Sequence, residues 1–165
     1  MKTLCLVRHA KSSWKHPELT DRERPLKKRG KRDARIMSEQ LVKKSLHPDL
    51  MVSSPAVRAR HTAEIFQDQL DYGNRDIIFD KQLYFSGTEA MLSVIQQTDD
   101  LVKNLFVFGH NPDLTDLANQ LINTRIENVP TTGIVCIDFD TDHWMEATKT
   151  TAAIRFFEYP KMYRG

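Results

Sequence analysis

Cysteine is scarce in this 165-residue chain: there are two, Cys5 and Cys136, and no Cys-x-x-Cys. That excludes a disulfide-stapled scaffold and a zinc finger. Both thiols sit among apolar, strand-like neighbours and are expected to pack as small buried hydrophobes. Long apolar runs are missing too: none approaches the roughly 18 residues a membrane span needs. The opening Met1-Lys2-Thr3-Leu4-Cys5-Leu6-Val7 is too short for the apolar region of a signal peptide and is stopped by Arg8-His9. No internal repeat, low-complexity tract or linker interrupts the sequence. The expectation is one domain over residues 1–165, cytoplasmic and without membrane contact.

What is present suits a globular fold. At 40% hydrophobic residues the chain can build a core and bury about two-thirds of the surface its unfolded form would expose. The overall charge of +2 conceals an asymmetry. Residues 1–60 hold sixteen of the 24 Lys+Arg and six of the 22 Asp+Glu, a net of +10; residues 61–165 hold the rest, a net of −8. Eight cations crowd between Arg22 and Arg35. Such a field attracts anions of several kinds: phosphorylated ligands, nucleic acid or an acidic partner.

Strands and helices alternate along the chain. Lys2 to Val7 reads as a buried strand ending at Arg8. From about Pro25 to Lys44, Ala34, Met37 and Leu41 mark one face of a helix. Leu50-Met51-Val52 is a second strand, followed by a helix whose stripe is Ala56, Ala59, Ala63, Phe66 and Leu70, with Pro55 suited to its first turn. Ile77-Ile78-Phe79 is a third strand, Glu89 to Gln97 a short helix, Leu105 to Phe108 a fourth strand, and about Asp113 to Ile122 another helix. Gly133–Phe139 and Ala153–Tyr159 complete the pattern as a hairpin around Asp140-Thr141-Asp142. The order predicts a three-layer α/β/α sandwich with a mostly parallel central sheet.

In such sheets ligands bind beyond the carboxyl ends of the strands. Three strands here end in reactive clusters: Arg8-His9, Ser53-Ser54 with Arg58, and Gly109-His110. If those strands are parallel neighbours, the clusters share one edge. Two histidines and two arginines with no metal-ligand pattern suggest phosphoryl chemistry without a metal or other cofactor. Arginine neutralises a phosphate dianion and grips two of its oxygens. Neutral imidazole is a competent nucleophile near pH 7, and a second, protonated histidine would stabilise the spreading charge.

These residues carry a resemblance. Leu6-Val7-Arg8-His9-Ala10 is similar to the Arg-His-Gly signature of the histidine phosphatase superfamily, with its phosphoglycerate mutase-like fold. The stretch Ser53 to Ala63 resembles the second motif of that superfamily, and Phe108-Gly109-His110-Asn111-Pro112 the segment with its second histidine. The Lys11-Ser12-Ser13-Trp14 and Asp21-Arg22-Glu23-Arg24-Pro25-Leu26 segments resemble SixA-type phosphohistidine phosphatases. The resemblance implies a phosphatase with His9 as nucleophile and Arg8, Arg58 and His110 as the phosphate pocket. Ala10 departs from the usual glycine. No Glu stands in an equivalent motif to protonate the leaving group, which leaves Asp21 as the candidate acid. Ser12 and Thr132 are candidate substrate contacts.

A missing strong acid fits an N–P substrate or an activated ester better than a sugar phosphate, because general-acid help to an alkoxide is worth about 10²–10⁴-fold. The expected partner is therefore a phosphorylated protein, with a small phosphorylated metabolite as the alternative. Nucleic acid is disfavoured, since no stacking aromatics or known motif accompany the basic half; no heptad or long exposed apolar helix indicates an oligomeric state. His16, His47, His61 and His143 read as structural or surface residues, Arg60 as solvated, and the Arg22–Arg35 run as a solvated face or a substrate-steering one. Ser53 and Ser54 read as braces, because no Gly-x-Ser-x-Gly elbow is present.

Overall fold

A computed structural model describes residues 1–164. Its centre is a six-stranded sheet: β1 Lys2–Arg8, β2 Leu50–Ser53, β3 Ile78–Phe79, β4 Asn104–Gly109, β5 Ile134–Phe139 and β6 Ala152–Glu158. Their order across the sheet is β3-β2-β4-β1-β5-β6. The strands from β3 to β1 are parallel, and β5 runs antiparallel to both β1 and β6. The sheet is thus mixed, its parallel part holding the central pair β1–β4.

Both faces of that pair are covered, so the strands are apolar without interruption. Leu4, Leu6, Leu105 and Val107 point one way, into a core closed by helices α3 Thr88–Gln96 and α4 Asp113–Leu121 through Met91, Ile95, Leu114 and Leu117. Cys5, Val7, Phe106 and Phe108 point the other way, against α1 Lys28–Lys43 and α2 Val57–Gln69 through Ala34, Met37, Leu41, Ala63 and Phe66. Cys5 and Cys136 are buried cross-strand neighbours with free thiols, as their surroundings in the sequence predict.

Two local expectations need correction. β5 and β6 form the expected hairpin, with Phe139 paired to Ala152, but the loop that joins them extends well beyond Asp140-Thr141-Asp142. It folds back through a 3₁₀ turn at Trp144–Glu146, because Trp144 buries its ring and donates its indole N–H to the Val102 carbonyl at 2.8 Å. Pro55 lies just outside α2, whose N-cap is Ala56, so it sets the approach to the helix and not its first turn. Among the described residues no helix is long and apolar enough to cross a membrane.

Candidate active site

Register brings the three strand-end clusters together. Arg8 is paired with Gly109 across β1–β4, and Ser53 with Phe108 across β2–β4. Just beyond the ladder, the His9 N–H donates to the Gly109 carbonyl at 3.1 Å and the Ser54 N–H to the Phe108 carbonyl at 2.9 Å. The antiparallel β5 starts at the same edge. There the Thr132 N–H, on a residue with φ 59°, donates to the carbonyls of Arg8 and His9 at 3.0 and 3.1 Å.

The result is a cleft of about 230 Å³ lined by Arg8, His9, Ser12, Asp21, Arg58 and His110, with Lys11, Trp14, Arg24, Phe85, Asn111 and Thr131 completing it. Four cations face one carboxylate. A larger hollow of about 1100 Å³ lies at the β3 edge, but Glu64, Asp68, Asp71 and Asp76 line it, and that charge repels phosphate. Among the described residues no three His, Cys, Asp or Glu side chains group as a metal site.

Each central side chain is held from behind. His9 is buried, and its Nδ1 lies 2.8 Å from the Ala10 carbonyl. Ala10 fits without strain in the α1/α2 core, so its methyl takes the place of the usual glycine hydrogen. The Ala10 N–H donates to Thr62 Oγ1 at 2.9 Å, and the Thr62 hydroxyl donates to the Arg58 carbonyl at 2.7 Å. One threonine on α2 therefore ties the loop carrying His9 to the turn carrying Arg58. His110 is buried, its Nε2 2.8 Å from Ser54 Oγ, its ring 5.1 Å from that of His9. Ser54 thus braces the site.

Burial and cations dominate the electrostatics. Burial pushes the pKa of His9 down to about 3, outweighing its bond to Ala10, and Arg58, Arg8 and Arg24 push the same way. Burial, then His9 and Arg58, take His110 down to about 2. Both rings are neutral near pH 7 when no anion is bound. The protonated second histidine expected at the transition state is thus not the form that the free site favours. Of six buried side-chain polar atoms without a partner among the described residues, four belong to this corner: Arg8 Nε, Arg58 Nε, His110 Nδ1 and Thr132 Oγ1. Unpaired buried groups of this kind cost about 1–3 kcal/mol each.

Asp21 lies at the mouth as a strap. Its carbonyl and Oδ2 accept from Arg58 Nη1 and Nη2 at 2.7 and 2.9 Å, and Oδ2 also accepts the Tyr84 hydroxyl at 2.7 Å. Its Oδ1 accepts from Arg24 at 3.2 Å. Burial raises its pKa, but the Tyr84 and Arg58 hydrogen bonds and the Arg58 charge outweigh it and hold the carboxyl at about 2. Ser12 accepts from Arg24 Nη1 at 2.8 Å. Thr132 does not line the cleft; it is fully buried beneath it, and Thr131 is the residue at the surface.

Three contributors were not legible in the sequence. Arg24 sits in the basic run, yet it is buried, stacked on Trp14 at 3.6 Å and bonded to Asp21 and Ser12. Tyr84 and Phe85 follow β3. The Phe85 ring stacks on His110 with centroids 4.6 Å apart. The rule that sheet ligands lie beyond strand carboxyl ends applies equally to β3, the fourth parallel strand, and would have pointed to that loop.

The chain is similar to known proteins in the same terms. Residues 4–84 match the family model of the histidine phosphatase superfamily (branch 1). An uncharacterized protein of Mycobacterium tuberculosis is 30% identical over 166 residues, spanning 94% of this chain and 100% of its own. The structure of SixA from Agrobacterium tumefaciens superposes with a TM-score of 0.80 at 26% identity, over 96% of this chain and 98% of the other. A structure of the protein histidine phosphatase SixA complexed with tungstate gives a TM-score of 0.85 at 19% identity, covering 98% and 99% of the two chains. With the motifs, the family model and the fold agreeing, this chain belongs to the histidine phosphatase superfamily, in its SixA-type form, and is a phosphatase.

Proposed function

We propose that the protein is a phosphohistidine phosphatase acting through a phosphoryl-enzyme intermediate on His9, with Arg8, Arg58 and His110 as its phosphate pocket. The tautomer of His9 carries this reading. A carbonyl only accepts, so the 2.8 Å contact with Ala10 requires the proton on Nδ1 and leaves Nε2 with a free lone pair. That lone pair faces a cleft lined by Arg8 and Arg58, whose guanidinium charges suit phosphoryl oxygens.

The steps balance without a proton passing through His9. The Nε2 lone pair attacks phosphorus, the bond to the leaving atom breaks, and that atom keeps the electron pair. His9, now phosphorylated on Nε2 and still protonated on Nδ1, is a cationic ring beside the phosphoryl oxygens. Water then attacks phosphorus, its surplus proton passes to the phosphate product, and the N–P electron pair returns to Nε2. Splitting the hydrolysis this way replaces one hard step with two easier ones. A phosphoryl dianion arriving beside His110 favours its protonated form, so this ring gains its positive charge with the substrate.

The substrate class follows from the leaving atom. A phosphohistidine whose other ring nitrogen is protonated departs as neutral imidazole and needs no acid. The transfer then runs between two like N–P bonds. An alkyl ester departs as an alkoxide, and Asp21, strapped by two arginines with a pKa near 2, is poorly placed to protonate it. Asp21 in this reading positions Arg58 and is not the acid. The likeness to a structure named as a protein histidine phosphatase supports the same class.

The test compares a histidine-phosphorylated protein with p-nitrophenyl phosphate and phosphoserine, in EDTA, for wild type and His9→Ala. Turnover should favour phosphohistidine in kcat/KM and disappear in a folded His9→Ala variant. Retained turnover in that variant would overturn the mechanism. A preference for phosphoserine would replace the substrate class with a small-molecule phosphomonoesterase.

A further inference from the structure

Helix α1 carries its charge where a helix tolerates it least. Its first turn has no acidic residue, and Lys27, Lys28 and Arg29 stand at an N-terminus whose dipole already favours anions. Lys28, Lys31, Arg32 and Arg35 are spaced i, i+3, i+4 and i+7, so they share one face, and all four are exposed. The pairs Lys28/Arg32 and Lys31/Arg35 are like charges one turn apart, which is unfavourable on a helix surface. Among the described residues none of the four lies within ion-pair distance of a carboxylate; in the run from Arg22 to Arg35 only Arg24 and Arg29 do. Within α1 itself this arrangement gains folding nothing, so the helix alone does not explain it.

Its position offers a reason. The first turn of α1 is pressed against the backbone of Lys11, so closely that a Cβ on Gly30 would run into the Lys11 carbonyl, and the Lys27 N–H donates to that same carbonyl at 2.9 Å. Lys11 in turn lines the cleft. The N-terminus of α1 therefore abuts the cleft wall, and the cationic face, on the side of the helix turned away from Gly30, runs from that end along the helix. On the far side it ends where Glu64 and Asp68 of α2 face Lys31 and Arg35 across a groove.

We propose that this face of α1 is a docking surface for the acidic polypeptide surface around the phosphorylated residue of a protein substrate. The proposal takes its protein substrate from the phosphohistidine reading. The cation stripe is complementary to acidic side chains flanking the phosphoryl site. Polypeptide is favoured over nucleic acid because stacking aromatics normally accompany a single-strand groove. The face has none: α1 exposes no large apolar side chain except Val42 at its far end, and Trp14 has one side covered by Arg24.

The Lys28→Glu/Lys31→Glu variant separates docking from stability, because it reverses the charge of the face while its effects on the fold offset one another. It places acids near the helix N-terminus. It also turns the like-charge pairs with Arg32 and Arg35 into opposite-charge pairs, with the acid on the N-terminal side, which is the favourable order. These gains oppose the repulsion that the Lys31→Glu side chain meets from Glu64 and Asp68 across the groove, so Tm should stay near that of wild type. Lys103→Glu/Lys149→Glu, with the same charge change at the opposite edge of the sheet, is the control. The probes are two synthetic peptides with a single phosphohistidine, flanked by Glu in one and Gln in the other, together with free phosphohistidine. Wild type should prefer the Glu peptide in kcat/KM by about tenfold or more at low salt, with the preference falling as salt rises. The α1 variant should lose that preference yet turn over free phosphohistidine as wild type does, and the control should keep it.

Equal kcat/KM for the Glu and Gln peptides in wild type would overturn the proposal. So would loss of the preference in the control as well as in the α1 variant. Fluorescence anisotropy of the same labelled peptides, with the His9→Ala protein, reads docking whether or not phosphohistidine is the substrate. Equal binding of the two peptides there overturns docking, and failure to hydrolyse free phosphohistidine overturns only the substrate reading. Salt-sensitive binding of a 20-nucleotide single strand, lost in the α1 variant and without any Glu-peptide preference, would assign the face to nucleic acid instead.

Discussion

Acidification should destabilise this protein through its own active site. His9 and His110 are neutral in the folded state down to about pH 3 and 2, because burial and the neighbouring arginines oppose their charging. In the unfolded chain both return to an ordinary pKa of about 6.5. Between pH 7 and pH 5 each unfolded ring goes from roughly one-quarter to almost fully protonated, while the folded rings take up essentially nothing. The unfolded state thus binds more protons, so stability falls as pH falls through 6.5 toward the folded values. Linkage gives about 2 kcal/mol lost per histidine over those two pH units, or about 4 kcal/mol for the pair. That figure depends on the unfolded pKa alone as long as the folded one lies below about 4. Against a total stability of about 5–15 kcal/mol it is large. Urea unfolding at pH 7 and pH 5 should therefore show a loss in wild type about 4 kcal/mol greater than in His9→Asn/His110→Asn. Other titrating groups, such as His143, whose pKa Asp100 raises, are common to both proteins and cancel. Equal losses in the two proteins would refute the claim that the site holds its histidines neutral.

Two further substitutions probe the supports. Thr62→Val keeps the side-chain shape but leaves the buried Ala10 N–H without its acceptor, so unfolding free energy should fall by about 1–3 kcal/mol; kcat for p-nitrophenyl phosphate should fall with it, because the same hydroxyl links the His9 loop to Arg58. Phe85→Gly relieves a left-handed φ of 56° and removes the ring stacked on His110. The His110 pKa, followed by NMR, should move up toward its ordinary value as water reaches the ring, without the stability loss expected of a core truncation.

What could be read from the sequence was whatever depends on local pattern. Leu4–Val7 and Leu105–Phe108 are buried on both faces, so their unbroken apolar runs could be read as strands, and the polar residues ending them marked the edge where the cleft lies. Arg8, His9, Arg58 and His110 follow from that geometry. Phe85 does not, because left-handed backbone is the habit of glycine and asparagine, and nothing local marks a phenylalanine for it. Arg24 is chemically indistinguishable from its neighbours in the basic run. Only the tertiary approach of Ser12, Trp14 and Asp21 takes it out of solvent. Trp144 similarly reshapes the β5–β6 loop through a contact with the β4 approach more than forty residues away in sequence.

Asp21 is the residue on which the choice of chemistry turns, and a leaving-group series decides its role. If it is the general acid, Asp21→Asn should barely affect p-nitrophenyl phosphate, whose phenolate leaves unaided. It should then cost an alkyl phosphate about 10²–10⁴-fold. If it is the strap that its contacts with Arg58, Arg24 and Tyr84 describe, Asn keeps the backbone bond to Arg58 and loses the charge that orients both guanidinium groups. Every substrate needs those guanidinium groups for its phosphoryl oxygens, whatever its leaving atom. The loss should then be similar for aryl phosphate, alkyl phosphate and phosphohistidine, so a plot of log kcat/KM against leaving-group pKa keeps its wild-type slope and drops as a whole. A steeper slope in Asp21→Asn would return the proton to Asp21 and weaken the case for an N–P substrate. An unchanged slope leaves the site without an acid, and without one, turnover falls to the substrate whose leaving nitrogen departs as neutral imidazole.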